Sequence, residues 1–252
     1  MLPYYPQPSL PLGPLTIHAF GVLVAVAVLV GSWVARRRAQ SRGLDPARLE
    51  SLLSWVVGFG FLGGHVIDEL LYEPARVLSD PLSLLRIWDG QGSFGGFAGA
   101  VLGVALFSFR RGFDGRMWAY LDAVAYGFPF GWVFGRLGCF VAYDHPGVAT
   151  KLFFGQHYSD GVVRHNLGLE EAVLTIALSA AFLWLGKKPR ADGYFVGMLA
   201  LLYAPVRFLL DTLRIADARY LGATPAQFGA VLLAIVGIAV LVHAHARAPR
   251  PV

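Results

Sequence analysis

Apolar runs long enough to cross a lipid bilayer alternate along this chain with short polar segments. The runs cover residues 15–35, 51–72, 93–109, 117–143, 169–186, 194–213 and 225–242. A helix rises about 1.5 Å per residue, so some twenty apolar residues span a hydrocarbon core of about 30 Å. The pattern predicts seven membrane helices. Two of them carry an internal irregularity: Gly63-Gly64-His65 interrupts the second, and Pro129 kinks the fourth or breaks it into two pieces.

The charges between the runs set a topology. Arg36, Arg37, Arg38, Arg42 and Arg48 follow the first run, Arg110, Arg111 and Arg116 the third, and Lys187, Lys188 and Arg190 the fifth. Basic residues in short loops mark the cytoplasmic side, which puts the N-terminus outside and the C-terminus, after a His-Ala-His-Ala-Arg tail, inside. The segment 73–92, with its apolar-aromatic stretch 84–88, falls outside and partly along the interface. Residues 144–168 form the largest polar segment, holding His145, His157, Arg164, His165 and Asn166, and are placed outside as a cap.

Composition agrees with that reading. The chain is 56% hydrophobic and 15% charged over 252 residues, with a mean hydropathy of +0.57. That is more apolar side chain than a soluble core of this size needs. The expected class is an all-α integral membrane protein, a single domain over 1–252, multi-pass. The net charge of +5 does not point to nucleic acid, because the basic residues flank apolar runs and form no stripe with interleaved aromatics. The one cysteine, Cys139, excludes an internal disulfide and a multi-cysteine metal site. The first run lacks a basic lead-in and a small-residue cleavage site, so no cleavable signal peptide is expected.

Ionisable residues inside apolar runs are costly and mark candidate sites. Arg136 lies between Gly135 and Gly138 in the fourth run, just before Asp144 and His145. Either it snorkels from a helix end to the interface, or it serves an anion site at the membrane surface. In the sixth run Arg207, Asp211 and Arg214 follow at spacings that place them on one helical face. An ion pair bracing two helices is one reading of them. Three arginines for one carboxylate leave excess positive charge, and guanidinium forks suit phosphate, so a phospholipid headgroup is the other. Asp122 is available to pair with an arginine and Glu171 to anchor the polar segment.

These residues resemble a known family, the bacterial prolipoprotein diacylglyceryl transferases. The resemblance runs along nearly the whole chain, through Ile17-His18-Ala19-Phe20-Gly21, Trp88-Asp89-Gly90, Ser93-Phe94, Gly135-Arg136-Leu137-Gly138 and on to Gly147, Arg164-His165, Arg207-Phe208 with Asp211 and Arg214, and Gln227. It implies transfer of a diacylglyceryl group from phosphatidylglycerol to the cysteine thiol of a prolipoprotein signal peptide, with glycerol phosphate released and no metal or organic cofactor. It points to catalytic roles for Arg136, Arg207 and Asp144, with His145 beside them as a candidate by its own chemistry, and to substrate contacts from Phe20, Gly95, Gly96, Arg136, Gly138, Gly147, Arg207, Asp211 and Arg214. Its partners are phosphatidylglycerol, the signal peptide and the bilayer.

The chain departs from the family pattern where protons are handled. The family's Ser-Phe-His-Gly-Gly reads Ser-Phe-Gly-Gly here, with Gly95 in the histidine's place or one residue deleted. The signature's asparagine is Cys139, its glutamate is Asp144, and an N-terminal tyrosine is Phe20. His145 beside Asp144 is the replacement base on one reading and a plain polar residue on another. Cys139 is a packing residue or a thiol open to lipid. A phosphatidylglycerol-using enzyme with another acceptor, and a non-catalytic lipid- or signal-peptide-binding membrane protein, are the alternatives; ionisable residues gathered at one side argue against a transporter or channel.

Overall fold

The computed structural model describes residues 1–12, 15–87, 90–112, 115–215 and 217–247. Trp88 and Asp89, part of one family match and of the expected interfacial stretch, lie outside them. The architecture is largely helical, in the order β1 (Ser9–Leu12), β2 (Leu15–His18), α1 (Ala19–Ser41), α2 (Pro46–Tyr72), α3 (Pro74–Ser79), α4 (Ser93–Arg111), α5 (Met117–Ala142), β3 (Pro146–Ala149), β4 (Gln156–His157), β5 (Val163–Asn166), α6 (Leu167–Leu185), α7 (Tyr194–Thr212) and α8 (Pro225–Arg247). Among the described residues six helices, α1, α2, α5, α6, α7 and α8, are long and apolar enough to cross a membrane. This is a multi-pass membrane protein.

Several sequence expectations are corrected. The first helix starts at Ala19, because Leu15–His18 pairs antiparallel with Ser9–Leu12 as a hairpin. The polar segment 144–168 is a small antiparallel sheet of order β3-β5-β4. Gly63-Gly64-His65 does not interrupt α2, which runs unbroken to Tyr72. Glycines there let α4 close in: a Cβ on Gly99 would collide with the Phe59 carbonyl and lie 3.0 Å from Gly63 Cα of α2, so close approach offsets the low helix propensity of glycine.

Pro129 does not break α5 either. A proline inside a helix removes one hydrogen bond and crowds the carbonyl four residues back. Here Gly127 and Gly131, on either side of it, lie directly against the Gly31 and Ala27 carbonyl oxygens of α1, and that contact holds both halves in line. Asp122 is not paired with an arginine as expected. Its Oδ1 accepts from Phe195 N at 2.8 Å and Val196 N at 3.0 Å, capping the first turn of α7 from a neighbouring helix.

The two ends of the bundle differ chemically. At one end the basic segments meet: Arg42 pairs with Asp192 at 2.6 Å, Arg48 Nη2 donates to the Gly112 carbonyl at 3.2 Å, and Arg116 Nη2 donates to the Arg42 carbonyl at 3.2 Å. At the other end the sheet covers the end of α5. The N-terminal segment lies over it, with Leu2 N donating to Gly155 O at 2.8 Å and Tyr5 N to the Tyr143 hydroxyl at 3.0 Å. His65 of α2, fully buried, faces the Ser83 carbonyl at 3.1 Å and the Gly90 carbonyl at 3.4 Å, tying down the connection to α4.

Candidate active site

The site is assembled from α5, α6, α7 and the segments that follow α5 and α7. Arg136 projects from α5 and is 2% exposed; its guanidinium lies over the Trp132 ring, 4.5 Å from the centroid. Such a charge persists only with a partner. The partner is Glu171 of α6, fully buried, whose Oε1 is 3.0 Å from Arg136 Nε and whose Oε2 accepts from Arg207 Nη1 at 3.2 Å. Tyr203 donates its hydroxyl to the same Oε1, and Trp132 Nε1 donates to it at 3.4 Å. One carboxylate therefore fixes two arginines from different helices.

Gly168 makes this arrangement possible. A Cβ there would lie 2.6 Å from Phe140 N and 2.8 Å from the Cys139 carbonyl carbon, both rigid backbone of α5. Glycine lets the start of α6 press onto α5, and Glu171 follows one turn later. Asn166 caps α6 through Oδ1 to Leu169 N at 3.3 Å and donates Nδ2 to the Phe140 carbonyl at 3.2 Å, which ties the sheet to the same contact.

Arg207 Nη2 is 3.0 Å from Asp211 Oδ1, the expected i, i+4 pair. Asp211 also accepts a hydrogen bond from the Thr224 hydroxyl. Thr224 caps α8 reciprocally with Gln227: Thr224 N donates to Gln227 Oε1 at 3.0 Å, and Gln227 N donates to Thr224 Oγ1 at 3.2 Å. Arg214 lies beyond the end of α7, so it does not share the helical face with Arg207 and Asp211. It reaches back nonetheless to Asp211 at 3.7 Å, and forward to Asp217 at 2.8 Å. Its backbone bridges to Gly147 of β3, where a Cβ would come within 2.7 Å of His165 Cβ.

The expected excess of positive charge is corrected by these contacts. Arg136, Arg207 and Arg214 are met by Glu171, Asp211 and Asp217. What the site offers a ligand is therefore unused donors and not net charge: Arg136 Nη2 and Arg207 Nε are buried and have no hydrogen-bond partner among the described residues. Buried donors left unpaired are expensive, and a ligand oxygen relieves that cost.

Asp144 and His145 stand at the mouth of this cluster. Burial raises the Asp144 carboxyl to about 6, against the opposing pull of the Arg136 and Arg214 guanidiniums. Burial, then Arg214, Arg136 and Arg207, push the His145 imidazole well below its ordinary value, so the ring is neutral at physiological pH. His145 Nδ1 is 2.8 Å from the Asp144 carbonyl oxygen and 3.1 Å from Arg214 Nη2. A neutral ring satisfies one of these contacts at a time.

Cys139 Sγ, the Asp144 carboxylate and the His145 ring place ligand-type atoms within 4.8 Å of one another. Arg136 Nη1 donates to Cys139 Sγ at 3.6 Å and Arg214 sits on His145. Two guanidiniums on the donor set favour an anion over a metal cation.

The glycines divide. Gly138 sits beneath Phe20 of α1, with a Cβ position 3.1 Å from Phe20 Cδ2, close to Arg136 in sequence and space. Gly95 and Gly96 lie instead in the contact between α4 and α2, against Gly63 and Gly60. Glu171 was not singled out for the site by sequence, and neither were Tyr203, Trp132, Thr224 or Gly168. The available signal was an acid one turn inside an apolar run that also has to neutralise buried arginines. The anchoring expected of Glu171 belongs to its neighbour Glu170, which holds His165 Nδ1 at 2.6 Å.

Comparison with known proteins places this geometry in a family. A family model described as prolipoprotein diacylglyceryl transferase matches residues 8–243. Curated relatives named phosphatidylglycerol–prolipoprotein diacylglyceryl transferase include one from Janthinobacterium sp., 31% identical with 97% of each chain covered. Others come from Chromohalobacter salexigens, 31% identical over 93% of this chain and 90% of the relative, and Solidesulfovibrio magneticus, 33% identical over 85% and 83%. With a match that takes in α1 to α7, most of α8 and every residue of the arginine–carboxylate cluster, this chain belongs to the prolipoprotein diacylglyceryl transferase family.

Proposed function

We propose that this protein transfers the diacylglyceryl group of phosphatidylglycerol to the cysteine thiol of a prolipoprotein signal peptide, at the cluster built around Glu171. The observation that carries the reading is the pair of buried guanidiniums with free donors, Arg136 Nη2 and Arg207 Nε, fixed in place by one carboxylate. The peptide sulfur attacks the glyceryl carbon bonded to the phosphate oxygen. A C–S bond forms, the C–O bond breaks, and glycerol phosphate leaves with the electron pair. Charge grows on the phosphate in that step, and preorganised donors in a water-poor site stabilise it. The thiol proton goes to His145: with Nδ1–H donated to the Asp144 carbonyl oxygen, Nε2 carries the lone pair. Asp211, Arg214, Gly138, Gly147 and Phe20 shape the surrounding headgroup site, while Gly95 and Gly96 contribute through helix packing.

Seven spans complete the topology in this reading. The 19-residue α4 runs antiparallel along α2 and supplies the seventh. The joined basic segments lie in the cytoplasm, so the N-terminus and the arginine–carboxylate site face the outside of the bacterial inner membrane and the C-terminus faces the cytoplasm.

One observation supports a different acceptor as second reading. A Cβ at Gly95 would collide with the Gly63 carbonyl, so no side chain fits at Gly95, and the family's histidine is either replaced there or deleted. Both readings are tested by mass spectrometry of a synthetic lipobox peptide incubated with the protein and phosphatidylglycerol in nanodiscs. The first expects a diacylglyceryl-modified cysteine, lost in Arg136→Ala; an unmodified peptide with phosphatidylglycerol still consumed moves the assignment to another acceptor.

A further inference from the structure

A second polar cluster lies at the opposite end of the same helices. Arg38, in the last turn of α1, and Arg42, just past its end, face the α6–α7 connection across a cleft of about 440 Å³, with Lys187, Lys188 and Arg190 on the far side. It is distinct from the arginine–carboxylate site: Glu171 and Gly186 are separated by four turns of α6, about 22 Å. Among the described residues the one carboxylate paired within it is Asp192, on Arg42 at 2.6 Å. Five cations thus face one acid.

The guanidiniums are held, not left to wave from the surface. Arg38 lies between aromatic faces, 4.7 Å from the Tyr126 centroid and 5.0 Å from that of Phe195, and donates to the Gly186 carbonyl at 3.3 Å. Arg190 lies over Tyr194 at 4.7 Å and donates Nε to the Leu185 carbonyl at 3.2 Å. Arg42 Nη1 donates to the Arg190 carbonyl at 3.4 Å. A topology signal needs only charge; stacking and backbone bonds go further and preorganise the donors. Depth is marked independently. Trp33 of α1, 57% exposed, precedes Arg38 by about one and a half turns, and Trp184 of α6, 69% exposed, precedes Gly186 by about half a turn. Exposed tryptophans of membrane helices sit at headgroup level, which puts the cleft beside lipid phosphates.

We infer that this cleft binds the phosphate of an anionic phospholipid from the leaflet opposite the active site. The phosphodiester sits between Arg38 and the Lys187-Lys188 rim, its acyl chains run along the apolar surface beside Trp33 and Trp184, and the bound lipid clamps α1 to the α6–α7 connection. Basic pockets between helix ends suit such headgroups, at about 1 kcal/mol for each lysine or arginine near the surface.

The test is native mass spectrometry of the full chain equilibrated with detergent micelles holding phosphatidylglycerol or phosphatidylcholine, beside Lys187→Gln/Lys188→Gln. Both lysines are exposed and remote from Glu171, so the double variant folds and keeps its transferase activity. The expected result is one phosphatidylglycerol more on the wild type than on the variant, with affinity for it weakened about thirtyfold by loss of two lysines. Equal retention by the two proteins overturns the inference. So does equal retention of phosphatidylcholine, or displacement of the lipid by inorganic phosphate at the same concentration, which would assign the cleft to a free anion.

Discussion

Arg136 Nε lies 3.0 Å from Glu171 Oε1, and each side chain is almost wholly shut off from solvent. The pair joins α5 to α6 within the proposed site. Removing one member of a buried pair strands the other, which costs about 3 to 5 kcal/mol. Glu171→Ala is therefore expected to lower the thermal unfolding temperature and abolish transfer together, because Arg207 also loses its partner. Glu171→Gln keeps the shape and loses the charge, and unfolds between the two. An unchanged unfolding temperature in Glu171→Ala nanodiscs sinks the role of Glu171 as the hub.

Arg136→Lys separates charge from geometry. An ammonium keeps the positive charge but loses the fork and the stacking over Trp132. Transfer to a lipobox peptide is expected to fall by about 10²- to 10³-fold in kcat, as for loss of a donor to a developing anion. A lysine variant within a fewfold of wild type would show that Arg136 supplies charge alone.

The pH profile reports Asp144 and His145. His145 is held well below its ordinary value, so it stays neutral and able to accept a proton as pH falls through 7, and Asp144 takes a proton near pH 6. Activity is expected to decline on the acid side near pH 6 in wild type, and to lose that inflection in Asp144→Asn. Linkage gives the two residues opposite signs. The unfolded chain binds a proton at His145 below about pH 6.5 that the folded state refuses, which destabilises the fold on acidification. The folded state binds a proton at Asp144 between about 6 and 3.8 that the unfolded chain does not, which stabilises it. Chemical denaturation of His145→Gln from pH 7 to 5 should show less acid destabilisation than wild type.

Gly168→Ala and Gly138→Ala should differ sharply. At Gly168 the added methyl meets backbone of α5 at 2.6 Å, whereas at Gly138 it meets the edge of the Phe20 ring at 3.1 Å, and that ring can turn. Gly168→Ala is expected to cost about 1 to 3 kcal/mol and to reduce transfer by pulling Glu171 from Arg136. Gly138→Ala is expected to fold normally and to raise KM more than it lowers kcat.

Gly95→His is the direct test of the family histidine. Position 95 is packed on Gly63 and Ile67 of α2, so a side chain there forces α4 away. The variant should lose stability without gaining activity. A faster enzyme would show that the site at α4 is open to an additional base.

The sequence by itself determined the class, the multi-pass helical architecture and the buried charges Arg136, Arg207 and Asp211. Hydropathy periods and arginine-rich connections depend on local composition, and a bilayer turns them into helices with few alternatives. Arg136, Arg207 and Asp211 stood out because a charge in an apolar run is costly wherever the chain goes. The continuity of α5 through Pro129 was decided elsewhere, by glycine contacts with α1, residues a hundred positions away. The partner of Arg136 was likewise decided by packing. Glu171 is 35 positions further along the chain and reaches the arginine because Gly168 lets α6 press against the Cys139 and Phe140 backbone. Sequence spacing reveals what shares a helix face; which faces meet, and so which charge neutralises which, depends on close approaches that only the tertiary structure sets.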